Sequence, residues 1–265
     1  MTQFHDLFPA PKPIIGVIHL PALPGYPQSQ GIDHAVEKAL ADLAALEAGG
    51  ADGVLVENEY DRPHTVLSAP ETTAAMTRVT REVVVAARRC VIGIEILLND
   101  PAASLAVARA AGAKFIRTDY FVDPMERSEH GGAMHIDPDG VMAYRSRIGA
   151  DEILVLADIQ VKYARMLVPR GLDESARLAR EHHADGAIVS GNATAEPPLA
   201  ADLTLAKRGA GPLPILIGSG LDAGNAIDLL SIADGAIVGS SLKQGDHIAA
   251  EKVKALVAIA RGLAG

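Results

Sequence analysis

The chain has 265 residues, 49% of them hydrophobic, with no Trp, few aromatics and a net charge of −9. That length suits one large core, and a core short of rings must be built from Ala, Val, Ile and Leu. An acidic chain without a basic run excludes nucleic acid as the main partner and argues against docking on an anionic membrane, because phosphate-rich surfaces need clustered Lys and Arg.

The elements read in chain order as alternating strands and helices. A strand is expected over Ile14–Leu20 and a helix over Ala35–Ala48, with Val36, Ala39, Leu40, Leu43 and Leu46 on one face. A strand over Gly53–Glu57 and a helix over Thr72–Arg88 follow. Next come a strand over Val91–Leu97, a helix over Pro101–Ala111 behind the capping residue Asp100, and a strand over Phe115–Thr118. From Asp119 to Asp137 no period is visible, and a loop of that length in a compact fold reads as a lid or binding loop. Strands resume at Ile153–Ala157, Ala187–Ser190, Ile215–Gly218 and Ala236–Gly239. Helices are expected over Glu174–His183, Leu199–Lys207, Ala223–Leu230 and Ala249–Arg261, with Asp173 and Asp222 as further caps.

Three strands are announced by the same tripeptide, Ala-Asp-Gly, at residues 51–53, 184–186 and 233–235. Each copy ends a helix and opens an apolar run, as a parallel β/α repeat does. Short connections force right-handed crossovers and a parallel sheet. Eight such strands predict a (β/α)8 TIM barrel, with residues 1–265 as a single domain.

Cys90 is the one cysteine, so no intrachain disulfide can form and a reducing compartment is expected. Met1–Ala10 lacks the basic start and long apolar stretch of a secretory signal, and no apolar run approaches the ~20 residues of a spanning helix. A soluble cytoplasmic protein is expected. Its Ala-rich helices also suit a homo-oligomer.

Chemistry in such a barrel collects at the C-terminal ends of the strands. The polar residues there are His19, Glu57, Asn58, Glu59, Glu95, Asn99, Asp100, Arg117, Asp119, Asp158, Lys162, Ser190, Asn192, Thr194, Ser219 and Ser240. His19, Glu57, Glu95, Asp119 and Asp158 are candidate proton-transfer groups or ligands for a divalent metal ion. Glu95 sits inside an apolar run and needs a partner, for which Arg117 on the next strand is placed. Asn58, Arg117, Lys162, Ser190 and Asn192 are candidate substrate contacts. The turns Gly218-Ser219-Gly220 and Gly239-Ser240-Ser241 follow the seventh and eighth strands, the usual place for a phosphate in this fold. Glycines let the backbone approach an anion, and the serines add hydroxyl donors.

The segments Ile15-Gly16-Val17-Ile18-His19-Leu20-Pro21-Ala22-Leu23-Pro24-Gly25, Asp52–Asn58, Glu71–Met76, Gly112–Arg117, Leu156–Lys162, Val189–Thr194, Gly218–Gly220 and Val238–Lys243 resemble the BtpA/SgcQ family. The His-Leu-Pro-x-Leu-Pro-Gly start is its most specific element. The resemblance implies a (β/α)8 barrel. One branch is named for photosystem I biogenesis, and another looks like part of a sugar-utilisation gene set. The chain departs from the family pattern at Glu95 and Leu98, where Asn and Arg are more usual, and in the loop after Asp119.

Together these features lead to one expectation: a barrel enzyme acting by acid/base chemistry on a small phosphorylated sugar or nucleoside-derived metabolite, as an isomerase, epimerase or lyase. The rivals are a metal-dependent hydrolase built on the carboxylates and His19, and a non-catalytic assembly factor.

Overall fold

The computed structural model describes residues 3–263. Met1, Thr2, Ala264 and Gly265, the ends of the expected 1–265 span, lie outside the described residues. Eight parallel strands close into a barrel in the order β1-β8-β7-β6-β5-β4-β3-β2. They are β1 (Ile14–His19), β2 (Gly53–Glu57), β3 (Val91–Glu95), β4 (Phe115–Thr118), β5 (Leu154–Ile159), β6 (Gly186–Val189), β7 (Ile215–Ile217) and β8 (Gly235–Val238). Each lies within two residues of its expected limits. Helices α1 (Ile32–Gly49), α2 (Pro70–Ala86), α3 (Pro101–Ala111), α4 (Pro138–Arg147), α5 (Leu172–Glu181), α6 (Ala200–Ala210), α7 (Ala226–Leu230) and α8 (Ala250–Gly262) follow the strands in turn. No helix among the described residues is long and apolar enough to cross a membrane.

The repeated Asp has a job at the N-terminal end of the barrel. Asp52 accepts from the backbone amide of Ile14 at 2.8 Å, Asp185 from Val155 at 2.8 Å and Asp234 from Ile215 at 2.7 Å. Each carboxylate before one strand thus holds the start of the preceding strand. Each also pairs with a base from the helical layer: Arg261, Arg145 and Lys207 respectively. These bonds satisfy strand-end amides that would otherwise lack partners.

Side chains on alternate strand residues fill the barrel. The inner cluster comprises Ile15, Val17, Leu55, Phe115, Leu154, Leu156, Ile188, Leu216 and Ile237, closed from below by Phe4 and Phe8. Phe4 belongs to a short N-terminal helix, Phe4–Leu7, that periodicity did not announce. Phe8 meets Phe115 edge-on at 5.7 Å between ring centroids. The two rings need room, and glycines provide it. A Cβ on Gly93 would lie 2.2 Å from Phe115, and one on Gly53 2.8 Å from Phe8. The larger cluster, Ala, Val, Leu and Ile with few rings, lies between the sheet and the helices.

Three local expectations need correction. The helix α4 was hidden by its weak apolar period, and its signal is Asp137, which accepts from Gly140 at 2.9 Å ahead of Pro138. Asp173 and Asp222 are not the expected caps. The cap positions are Gly171 and Asn225, and Asp222 instead closes a turn onto Gly224 at 2.7 Å. The aperiodic loop after β4 is partly ordered as strand: Met125–Arg127 pairs with Gly132–Ala133 and with Arg165–Met166 from the loop after β5. This small antiparallel sheet stands beside the barrel mouth.

Candidate active site

Two residues beyond the apolar layer, period two brings one residue from each strand to the C-terminal mouth: His19, Glu57, Glu95, Arg117, Asp158, Ser190, Gly218 and Gly239. The layer is lopsided. Strands β1 to β5 supply charged or ionisable groups, β6 a hydroxyl, and β7 and β8 no side chain. The missing side chains make room. A Cβ on Gly218 would lie 2.5 Å from Ser190 Oγ and 3.4 Å from Arg117 Nη2, and one on Gly239 would lie 2.8 Å from the His19 ring. Both glycines are therefore required by neighbouring side chains, a reason the sequence did not reveal.

Register places His19 opposite Glu57 and Glu57 opposite Glu95. His19 Nε2 lies 3.2 Å from Glu57 Oε2, while its Nδ1 is buried without a partner among the described residues. Burial works against the Glu57 carboxylate, but the His19 hydrogen bond and charge, with Glu95 and Arg117, together outweigh it and hold Glu57 well below the usual range. Glu95 behaves oppositely. It is 2% exposed, and as a carboxylate neither oxygen has a hydrogen-bond donor among the described residues. Burial, opposed by Arg117 but reinforced by Asp119 and Glu57, pushes it well above the usual range. A protonated Glu95 would have the Glu57 carboxylate, opposite it in register, as its acceptor. The two form an acid and a conjugate base side by side.

Arg117 is the expected partner of Glu95 only in part. Its Nε lies 3.6 Å from Glu95 Oε2, beyond hydrogen-bond range. Its close contacts go to Asp158, with Nε at 2.7 Å and Nη2 at 3.0 Å. Ser190 Oγ donates to the same carboxylate at 3.2 Å. Burial disfavours the guanidinium, yet the surrounding acidic groups, the hydrogen-bonded Asp158 first among them, keep Arg117 charged. Asp119, one step past β4, is pushed up to about 6 by burial and by Asp158, with Arg117 and Lys162 opposing.

A cleft of about 1110 Å³ opens over this layer. Of the expected site residues, His19, Glu57, Glu95, Arg117, Asp119, Lys162, Gly218, Ser219, Gly220, Gly239, Ser240 and Ser241 line it. Asp158 and Ser190 lie outside its lining and act through Arg117. Asn58 is buried and engaged with Asp61 at 3.0 Å and the Leu97 amide at 2.8 Å. Asn192 is exposed and outside the lining.

The serine turns differ in detail from expectation. Ser219 Oγ donates to the Glu196 carbonyl at 2.7 Å, and Ser241 Oγ to the Leu221 carbonyl at 2.6 Å. Gly220, at φ +66°, abuts the Glu196–Pro197 backbone. What the turns present is backbone: the amides of Ser219, Gly220, Leu221, Ser240 and Ser241 find no acceptor among the described residues. Both turns line the cleft with backbone N–H groups that no protein acceptor among the described residues satisfies, chemistry that suits an anion.

Sequence reasoning missed most of the rim. Tyr60, Arg62, His64, Arg127, Glu129, Tyr163 and Lys243 also line the cleft. Lys243 was visible directly after the serine turn. Arg127 was not, because only the small antiparallel sheet carries it to the mouth. A divalent cation finds no donor set: among the described residues no group of three or more His, Cys, Asp or Glu could hold a metal ion.

A family model, the BtpA family, matches residues 10–262, and the chain belongs to that family. It is 37% identical over 247 residues to the photosystem I biogenesis protein BtpA of Synechocystis sp., covering 91% of this chain and 84% of that one. It is 32% identical over 248 residues to the putative sgc region protein SgcQ of Escherichia coli K12, covering 92% and 91%. Among solved structures, tryptophan synthase from Mycobacterium tuberculosis matches with a TM-score of 0.63 at 16% identity, covering 98% of this chain and 99% of that one. Thiamine phosphate pyrophosphorylase from Pyrococcus furiosus matches with a TM-score of 0.61 at 14% identity, covering 97% and 98%. At those identities the likeness is one of fold.

Proposed function

We propose that this BtpA-family chain is a cytoplasmic enzyme that binds a small phosphorylated metabolite and moves a proton on it. The observation that carries the reading is the buried Glu57–Glu95 pair at the floor of the cleft, in register on adjacent strands, with His19 holding one carboxyl down and burial lifting the other. A buried ionisable cluster of this kind costs stability and has no structural return. Glu57 is the base and is steered by His19. Glu95 is the acid. Asp119, at about 6, exchanges protons with solvent near neutral pH.

The phosphate rests on the free amides of Ser219–Leu221 and Ser240–Ser241, across the barrel mouth from the acid pair. Arg117 carries positive charge between the two and meets negative charge that develops on a substrate oxygen. Isomerase, epimerase and lyase reactions on a phosphorylated substrate can all use these parts: a held phosphate, a base, an acid and a cation. Two solved neighbours are phosphoribosyl anthranilate isomerases, whose name denotes a phosphorylated substrate, and this is consistent with the reading.

The test is a thermal-shift panel of inorganic phosphate, sugar phosphates and their unphosphorylated counterparts. A ligand at 100 times its Kd adds about 2.7 kcal/mol of stability. A shift with phosphorylated compounds alone supports the reading. Hits are then incubated in D2O, where deuterium incorporation that Glu57→Gln abolishes reports the proton transfer. No shift with any phosphate overturns it. The rival, an assembly factor, is motivated by the name of the Synechocystis relative. It requires that Ala at Glu57 and Glu95 leave the biological role intact.

A further inference from the structure

The cations that line the cleft fall into two groups. Arg62 pairs with Glu59, Arg117 with Asp158 and Arg127 with Glu129. Lys162 and Lys243 have no carboxylate partner and no side-chain hydrogen bond among the described residues, although both line the cleft and both are half-buried. An ammonium withdrawn from water without a counter-ion is costly, and a surface Lys has solvent freely available. Burial and the neighbouring Lys38 press Lys243 below the ordinary lysine range against the pull of Asp42, Glu57 and Glu59, none of which forms an ion pair with it.

Their places in the barrel are far apart. Lys243 follows β8, next to the free amides of Ser240 and Ser241, with Nζ 5.6 Å from the centre of the Tyr60 ring. Lys162 follows β5, near Asp119 and just before the Arg165–Met166 strand. In the ring order β8 and β5 stand three strands apart, and the acid pair on β2 and β3 faces the space between. The cleft volume of about 1110 Å³ leaves room for more than one phosphate and a short carbon chain.

We propose that the substrate carries two anionic groups, a phosphate held by the amide turns with Lys243 and a second phosphate or carboxylate held by Lys162. The inference rests on the phosphate reading above and narrows it. The carbon skeleton then spans the mouth with its middle over Glu57 and Glu95. A phosphorylated sugar acid and a sugar bisphosphate share this chemistry.

Binding is measured by calorimetry on the full chain with matched probes: fructose 6-phosphate against fructose 1,6-bisphosphate, and glucose 6-phosphate against 6-phosphogluconate. The second anion is expected to tighten binding about tenfold, the scale of one charge-assisted contact. Lys162→Met is expected to erase that preference and leave inorganic phosphate binding as it was. Lys243→Met is expected to weaken every phosphorylated probe, inorganic phosphate included. Preference for the bisphosphate marks the second group as phosphate, and preference for 6-phosphogluconate marks it as carboxylate. Equal affinity for singly and doubly anionic probes, with phosphate still binding, overturns this inference and leaves the phosphate site standing. No binding of any phosphate overturns both. Circular dichroism melts of both variants confirm that they fold.

Discussion

Glu57 and Glu95 stand directly opposite one another across β2 and β3, and their carboxyls are pushed in opposite directions, Glu57 down by its His19 contact and Glu95 up by burial with Asp119 and Glu57 beside it. Glu57 has His19 at 3.2 Å. Glu95 has the Arg117 guanidinium no closer than 3.6 Å, already committed to Asp158. Register supplies the pair and the third contact decides which member keeps the proton.

Glu95→Gln is expected to stabilise the chain while abolishing proton transfer. The native carboxyl is raised above its unfolded value, so ionisation of the unfolded chain drains stability once the pH exceeds about 4.3. A neutral Gln keeps the hydrogen bond to Glu57 and removes that loss. Each kcal/mol gained lifts Tm by about 2–4 °C in a chain near this size. Melts at pH 4 and pH 8 check it: the gain should be near zero at the first and largest at the second.

Asp119 should impose a pH slope on stability. Its carboxyl is raised to about 6 in the fold, so its contribution is fully present below the unfolded value of about 3.9 and is lost as pH climbs through 6. Asp119→Asn should flatten the urea-unfolding free energy between pH 4 and pH 6.5. An unchanged slope in the variant would show that another group titrates there.

Removing one member of the Arg117–Asp158 pair leaves the other buried and uncompensated. Arg117→Met or Asp158→Leu alone should cost about 3–5 kcal/mol, and the double substitution much less than the sum. Equilibrium denaturation of the three variants measures the coupling. Additive losses would place the energy in packing rather than charge.

Gly239→Ala tests the lopsided layer. The new methyl would sit 2.8 Å from His19 Cε1 and 3.1 Å from Nε2. The ring must move, the contact with Glu57 breaks, and overpacking costs about 1–3 kcal/mol. NMR titration of the His19 ring protons reports the displacement, and the Glu57 carboxyl should rise at the same time.

Phe8→Ala is expected to cost about 3–5 kcal/mol, the range for deleting a buried ring. Phe8 is 1% exposed, and its ring closes the barrel floor against Phe115. Thermal denaturation checks it. A loss below 1 kcal/mol would mean that the N-terminal helix is not part of the core.

The strand plan was legible in the sequence because buried parallel strands are near-continuous apolar runs, and each Ala-Asp-Gly marks a strand start whose Asp must bind the preceding strand's amide. The ends of the strands also named His19, Glu57, Glu95, Arg117 and Asp119 as mouth residues, because period two carries the inward face past the apolar layer. What the chain order does not encode is partner choice. Arg117 lies one strand from both Glu95 and Asp158, and packing alone gave it to Asp158. Asn58 looked like a substrate contact and is a brace for Asp61 and Leu97. Ser219 and Ser241 looked like phosphate donors, and their hydroxyls face carbonyls brought near by the fold. Lys162 and Lys243, 81 positions apart in the sequence, meet only at the cleft, where neither has an ion-pair partner among the described residues. Local pattern determined the barrel and its working end, since periodicity and turn chemistry act within a few residues. Tertiary structure decided charge states and contacts, since those depend on distances of a few ångströms between strands that the sequence keeps far apart.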